Sequence, residues 1–208
     1  MNGRMGEWIG VGRSSAHSPT HRSSHRGARP MAKLSVAYTD YLVETIAALG
    51  DPGCLLVTQG RDGGPNAMTI GWGTVGIIWG RPVFVVLVRP SRHTWKLLAE
   101  NGDFTVNVPP PELRRAVGFC GSKSRRDFDK FAETGLTPIP SPHVAAPIVE
   151  QCVVHYECRT IHRNDVAPDA LAQAVRKDCY SSGDYHTIYY GQILGVLADE
   201  DARERLCG

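Results

Sequence analysis

The sequence predicts a mainly β fold, an antiparallel barrel with short α insertions, and three observations carry that expectation. The apolar stretches are short, rich in Val, Ile and Thr, and bounded by Gly, Pro and Asn, as strands are. Strong turn signals such as Gly60-Arg61-Asp62-Gly63-Gly64-Pro65 join neighbouring stretches into hairpins. Long amphipathic segments do not alternate with the strands, so a closed or partly split barrel suits the chain better than a doubly wound parallel sheet.

Each element follows in order. Residues 39–49 read as a capped amphipathic helix stopped by Gly50-Asp51-Pro52-Gly53. Residues 54–59 form a short strand, and the glycine-rich turn after it leads into a strand that starts at Asn66. Residues 83–88 are apolar and β-branched, as a buried strand requires. Pro90 ends that strand because it has no N–H for the ladder, and Ser91 is the N-cap candidate for a helix running to Glu100. Residues 103–108 alternate polar and apolar, and three prolines at 109–111 open a helix to Phe119. A basic loop of small residues, 121–126, comes next. Long strands are expected at 148–161 and 186–197, with a helix near 168–177 between them. No internal repeat is visible.

The most informative stretch is residues 66–94. Arg89-Pro90-Ser91-Arg92-His93-Thr94 places two arginines and two hydroxyls between a strand end and a helix start. The free N–H groups there carry partial positive charge, so the place suits a phosphate. The same stretch holds a decoy. Gly71-Trp72-Gly73-Thr74-Val75-Gly76 matches the dinucleotide fingerprint G-x-G-x-x-G, which needs a helix to begin inside it. Here Ile77-Ile78-Trp79 follows, then Gly80-Arg81-Pro82, and no useful helix fits.

At 208 residues, 42% hydrophobic and 21% charged, the chain has the composition of a globular domain with a substantial core. The net charge of +2 divides unevenly. Residues 1–33 hold six Lys/Arg against Glu7 alone, while the body is near −3. That body gives no support to nucleic-acid binding, which needs a clustered basic face. No apolar run is long enough for a bilayer, and no signal-peptide core opens the chain, so no membrane association and a cytoplasmic location are expected. Residues 1–33, rich in Ser, His, Arg and Pro, read as a disordered basic extension with Met31 as a plausible true start. Residues 34–208 then form the folded domain.

Six cysteines show neither a C-x-x-C pair nor a disulfide framework, and free thiols are expected. Cys152, His155, Cys158 and His162 resemble a metal-ligand series, but on a strand His155 faces away from the other three. Cys152 and Cys158 would also stand about 20 Å apart at ~3.3 Å per residue, too far for one ion. No metal site is assigned.

Taken together, the motifs resemble the flavin reductase-like, FMN-binding split-barrel family, and its flavoredoxin-like branch in particular. The resemblance covers about residues 38–199. It rests on Asn66-Ala-Met-Thr-Ile-Gly-Trp72, Arg89-Pro-Ser-Arg-His-Thr94, Phe104-Thr-Val-Asn-Val-Pro109, Gly121-Ser-Lys-Ser-Arg125, Asp129-Lys-Phe131 with Gly135-Leu-Thr137, and Gly183-Asp-Tyr-His186 with Gly191-Gln-Ile193. It implies an antiparallel Greek-key split β-barrel that binds FMN non-covalently as a homodimer. It further implies an oxidoreductase taking electrons from NAD(P)H to a flavin, a partner protein or a small acceptor. A non-enzymatic FMN-binding electron carrier is the alternative.

By the same resemblance Asn66, Ala67, Met68, Thr69 and Trp72 line the isoalloxazine and ribityl region. Arg89, Ser91, Arg92 and Thr94 hold the phosphate, and Ser124, Arg125 and Lys130 close over it. No catalytic side chain is implied. His186 is the candidate nicotinamide contact, but Tyr185 separates it from Asp184, where many relatives have a contiguous Gly-Asp-His. In a strand that insertion turns the histidine to the other face.

Plainer readings stand beside these. Arg89 and Arg92 can pair with Glu100 or Asp103 at the surface, and Lys123, Arg125 and Arg126 can form a solvated loop. His186 can be an ordinary strand histidine. Trp79 is expected in the core and Trp72 against the flavin. Tyr189 and Tyr190 should point to opposite faces.

Overall fold

The computed structural model describes residues 32–207. The expected extension over residues 1–33, its histidines and Met31 therefore lie outside the described residues, apart from Ala32 and Lys33. Lys33 is part of the barrel. It begins β1 (Lys33–Ser35), and its ammonium reaches Asp199 at 2.7 Å and the carbonyls of Glu150 and Cys152 at 2.9 and 2.7 Å.

Next come α1 (Leu42–Gly50) and the hairpin of β2 (Cys54–Gln59) with β3 (Pro65–Ile70). β4 (Gly73–Ile78) and β5 (Arg81–Val88) form a second hairpin, followed by α2 (His93–Asn101) and β6 (Asp103–Val108). A 3-10 turn over the last of the three prolines feeds α3 (Arg114–Ser122), and α4 (Lys130–Thr134) follows. β7 (Pro138–Ile139) pairs with β8 (Ile148–Val149). The long ribbon of β9 (Val154–Asp165) and β10 (Thr187–Asp199) encloses a loop carrying α5 (Gln173–Cys179), and α6 (Ala202–Cys207) closes the described chain.

The main sheet runs β3-β2-β6-β9-β10-β5-β4, antiparallel at every step, with β1 added on β10. Its two ends, β3 and β4, are consecutive in the chain but share no ladder, so the barrel is split between them. The G-x-G-x-x-G stretch is the start of β4, with no helix inside it.

Side-chain alternation explains why β2 and β6 are buried along nearly their whole length. Leu56, Phe104, Val106 and Val108 enter the barrel interior with Phe84, Tyr156 and Tyr189. Leu55 and Val57 face outward beneath α3 and α4, where Ala67, Val117, Cys120 and Phe131 form a second core. The outward polar residues of β6 are satisfied individually: Thr105 Oγ1 donates to Pro147 O at 2.7 Å, and Asn107 Oδ1 receives Val149 N at 3.0 Å and meets His155 Nδ1 at 2.7 Å.

Three expectations are corrected. The strand expected at 148–161 is broken. Cys152 N bonds Val149 O to make a turn, and pairing resumes at Val154 and continues to Asp165. Trp79 is not in the core. It sits 61% exposed in the turn between β4 and β5 with φ 54°, its ring against His162 and Tyr190. Ser91 does not cap α2. Arg92 occupies the N-cap position without a side-chain bond, and the Ser91 hydroxyl donates to Asp184 instead. Tyr189 and Tyr190 divide as alternation requires, the first buried and the second half-buried.

Candidate functional site

A cleft of about 390 Å³ opens where β3, the turn after β5, the end of α3 and the loop before β10 converge. A smaller hollow of about 200 Å³ adjoins it and shares Met68, Thr69, Arg89 and Arg92. Of the twelve expected cofactor contacts, ten line the larger cleft: Asn66, Met68, Thr69, Arg89, Ser91, Arg92, Thr94, Ser124, Arg125 and Lys130. Trp72 lines the hollow, with Leu87 and His186. Ala67 lines neither. It packs under α3, and only its carbonyl serves the site, as an acceptor for Lys130.

The larger cleft is strongly basic. Arg89, Arg92, Lys123, Arg125, Arg126 and Lys130 face it, against one carboxylate, Asp184. His93 registers that field: burial lowers its pKa, and the charges of Arg125, Arg126 and Lys96 lower it further. The acids offered to Arg89 and Arg92 by the surface reading pair elsewhere, Asp103 with Arg159 at 2.8 Å and Glu100 with Lys96 at 3.9 Å.

Two buried groups define what the cleft can hold. The Lys130 ammonium, 5% exposed, donates to Ala67 O and Cys120 O at 2.8 Å each. Burial lowers its pKa, and its third hydrogen is left for the cleft. Asn66, 2% exposed, donates through Nδ2 to Thr94 Oγ1 at 2.7 Å, while its Oδ1 is buried with no partner among the described residues. A buried acceptor of this kind requires a donor. The site thus suits an anionic group beside a hydroxyl-bearing chain, a polyol phosphate in chemical terms.

Arg89 is partly committed before any ligand arrives. Its guanidinium donates to Asp184 O and Cys179 O at 2.9 Å and to Gly183 O at 3.4 Å, and lies 5.1 Å from the Tyr180 ring centroid. Ser91 is likewise engaged, its hydroxyl donating to Asp184 Oδ2 at 2.6 Å. Arg92 donates to Gly121 O at 3.1 Å. Arg125 stands 3.6 Å from Asp62, and Ser124 Oγ accepts from Arg126 N at 3.2 Å.

His186 overturns the expectation that Tyr185 turns it away. Tyr185 falls in a loop, since β10 starts at Thr187, and Gly183 (76°) and Asp184 (55°) before it have positive φ, so strand alternation does not apply to His186. The imidazole is buried against Trp72, ring centroids 4.9 Å apart, with Nδ1 2.8 Å from the Tyr180 hydroxyl. Burial, and then the charge of Arg89, lowers its pKa to about 4, so the ring is neutral near pH 7. Tyr180 was missed by sequence reasoning. It lies in a segment with no periodic signal, and only its proximity in space to His186 and Arg89 reveals it.

The Cys152–His162 series does not converge. Cys152 is buried in the turn before β9, His155 bonds Asn107, and the His162 ring packs edge-on to Trp79 at 5.6 Å.

The chain matches the family model described as "Flavin reductase like domain" over residues 49–207. An uncharacterized protein of Archaeoglobus fulgidus is 30% identical over 132 residues, which are 64% of this chain and 64% of that relative's length. Flavoredoxin of Desulfovibrio vulgaris (Miyazaki F) superposes with a TM-score of 0.59 at 28% identity, over 85% of this chain and 76% of its own. The FMN-binding domain of a flavin reductases-like enzyme from Shewanella baltica gives the same TM-score at 18% identity, covering 83% and 80%. With its antiparallel split barrel and a match across most of its length, the chain belongs to the flavin reductase-like domain family.

Proposed function

We propose that the protein is an FMN-binding oxidoreductase of the cytoplasm that takes electrons from NAD(P)H and passes them to a flavin, a partner protein or a small acceptor. One observation carries the reading: a basic cleft with an unpartnered buried acceptor, Asn66 Oδ1, runs into a hollow walled by Met68, Ile70, Trp72 and Leu87. The cleft suits the phosphate and ribityl chain of FMN, and the hollow suits the edge of a flat ring.

Bound FMN would supply the electron-transfer chemistry, accepting electrons in pairs and releasing them in pairs or singly. The chain's own residues bind and orient. Arg92, Arg125 and the free hydrogen of Lys130 neutralise the phosphate. Asn66 Oδ1 accepts from a ribityl hydroxyl, which removes its buried deficit. Arg89 acts chiefly by holding the loop that carries Tyr180 and Asp184 against the cleft. With Tyr180 donating to Nδ1, the neutral His186 keeps its proton on Nε2 and presents a donor beside Trp72, where a nicotinamide carboxamide can accept it.

We further propose a homodimer. Trp79, 61% exposed, packs against the rings of His162 and Tyr190, and Ile77, two residues before it, is 59% exposed, an apolar patch that a second copy would cover.

The test is the visible spectrum of the purified protein, followed by anaerobic NADH and then NADPH. A flavin spectrum that bleaches supports the reductase. A flavin spectrum that persists points to a carrier reduced by another protein, and failure to retain added FMN overturns the reading.

A further inference from the structure

The Tyr180 ring links two places. It meets Trp72 and His186 edge-on, at 6.3 and 5.5 Å, in the site already described. It also stacks on Tyr185 at 4.7 Å with 22° between planes. That stacked pair borders a separate groove of about 630 Å³, walled also by Gln173, Arg176, Lys177 and Ser181. No carboxylate is among its lining residues. An aromatic platform suits a purine, and two cations suit phosphate oxygens.

Helix α5, which supplies the cations, has no buried residue. The barrel needs none of its side chains for packing. It is held instead through its last carbonyl, Cys179 O, by Arg89. The same arginine that borders the flavin-shaped cleft therefore fixes the position of this groove.

We propose that the α5 groove binds the adenosine-phosphate half of a nicotinamide dinucleotide, with the base on Tyr185 and the phosphates on Arg176 and Lys177. The nicotinamide half then passes Tyr180 to reach His186 and Trp72. This rests on the reductase reading above and names where its electron donor is held. The phosphate recognised is either the pyrophosphate, common to both nucleotides, or the 2′-phosphate of NADPH.

The experiment is calorimetric titration of the full-length protein, incubated with FMN, against ADP-ribose and separately against 2′,5′-ADP. Saturable binding of at least one is expected. The double variant R176E/K177E should weaken it by about tenfold or more, the scale of one lost charged hydrogen bond, and Tyr185→Ala should weaken it as well. Binding of ADP-ribose alone points to the pyrophosphate, binding of 2′,5′-ADP alone to the 2′-phosphate, and equal binding of both to the adenosine 5′-phosphate that they share. Arg176 and Lys177 are exposed on α5, so the double variant should keep the wild-type melting temperature and flavin spectrum. No binding of either probe, or equal binding by the variants, overturns the proposal. A protein that retains no FMN in the same sample overturns the reductase reading instead, so the two failures are separable.

Discussion

At the scale of single residues, the site depends on buried polar groups whose partners are fixed. Lys130 joins β3 to α3 through two carbonyls. Lys130→Met removes two charged hydrogen bonds and leaves both acceptors buried, so a loss of about 3 kcal/mol is expected in urea unfolding, together with weaker FMN retention. Stability within 0.5 kcal/mol of wild type, a surface-substitution value of about that size, would deny the role. His186 has a pKa of about 4 in the folded chain against the usual 6.5. Between those values the unfolded chain holds the proton and the folded chain does not. Stability therefore falls as pH drops from about 6.5 toward 4 and levels off below. His155, fully buried and likewise lowered, adds to the trend. His186→Gln removes one titration while offering Tyr180 a partner, and should flatten the urea midpoint across that window. An undiminished slope would assign the effect to other groups. Residue type announced that Arg89 and Ser91 seek oxygen acceptors. It did not announce that the loop's own carbonyls and Asp184 reach them first, because that loop is brought back by a strand nearly a hundred residues later.

At the scale of elements, the strands at 54–59 and 103–108 were legible to the residue, because short runs bounded by Gly and Pro leave little freedom in their ends. The break at 150–153 was not legible. Alternation continues through a tight turn, and only pairing with β7 on one side and β10 on the other separates β8 from β9. Trp79 was misplaced for a related reason: hydrophobicity argues for burial, but a hairpin tip has nothing beneath it. β10 also carries a constraint invisible in sequence. A Cβ at Gly191 would strike the Phe104 ring and come within 2.9 Å of Cys158 Cβ, next to a register shift in the β9–β10 ladder. Gly191→Ala should therefore destabilise by about 1–3 kcal/mol, the usual cost of overpacking, as read from the urea midpoint. An unchanged midpoint would mean that Phe104 can move aside.

At the scale of the whole molecule, the residues that line the cleft were largely identifiable from their motifs, whereas the exposed patch was not, since it assembles from β9, β10 and the tip of the β4–β5 hairpin. Trp79→Glu places a charge at its centre. Sedimentation should show the wild type at twice the chain mass and the variant at the chain mass, while a monomeric wild type would remove the dimer. The split between β3 and β4 has a wider consequence. The cleft and hollow are walled by β3 at one end of the sheet and by the end of β5 near the other. A ligand seated there is a keystone, supplying across the gap the contacts that the backbone leaves unmade. Occupancy and global stability are then one equilibrium, worth about 2.7 kcal/mol at a hundredfold excess over Kd. Added FMN should raise the melting temperature and slow amide exchange along β3. Cells short of the ligand would then hold a looser arch, more open to proteolysis at its missing stone.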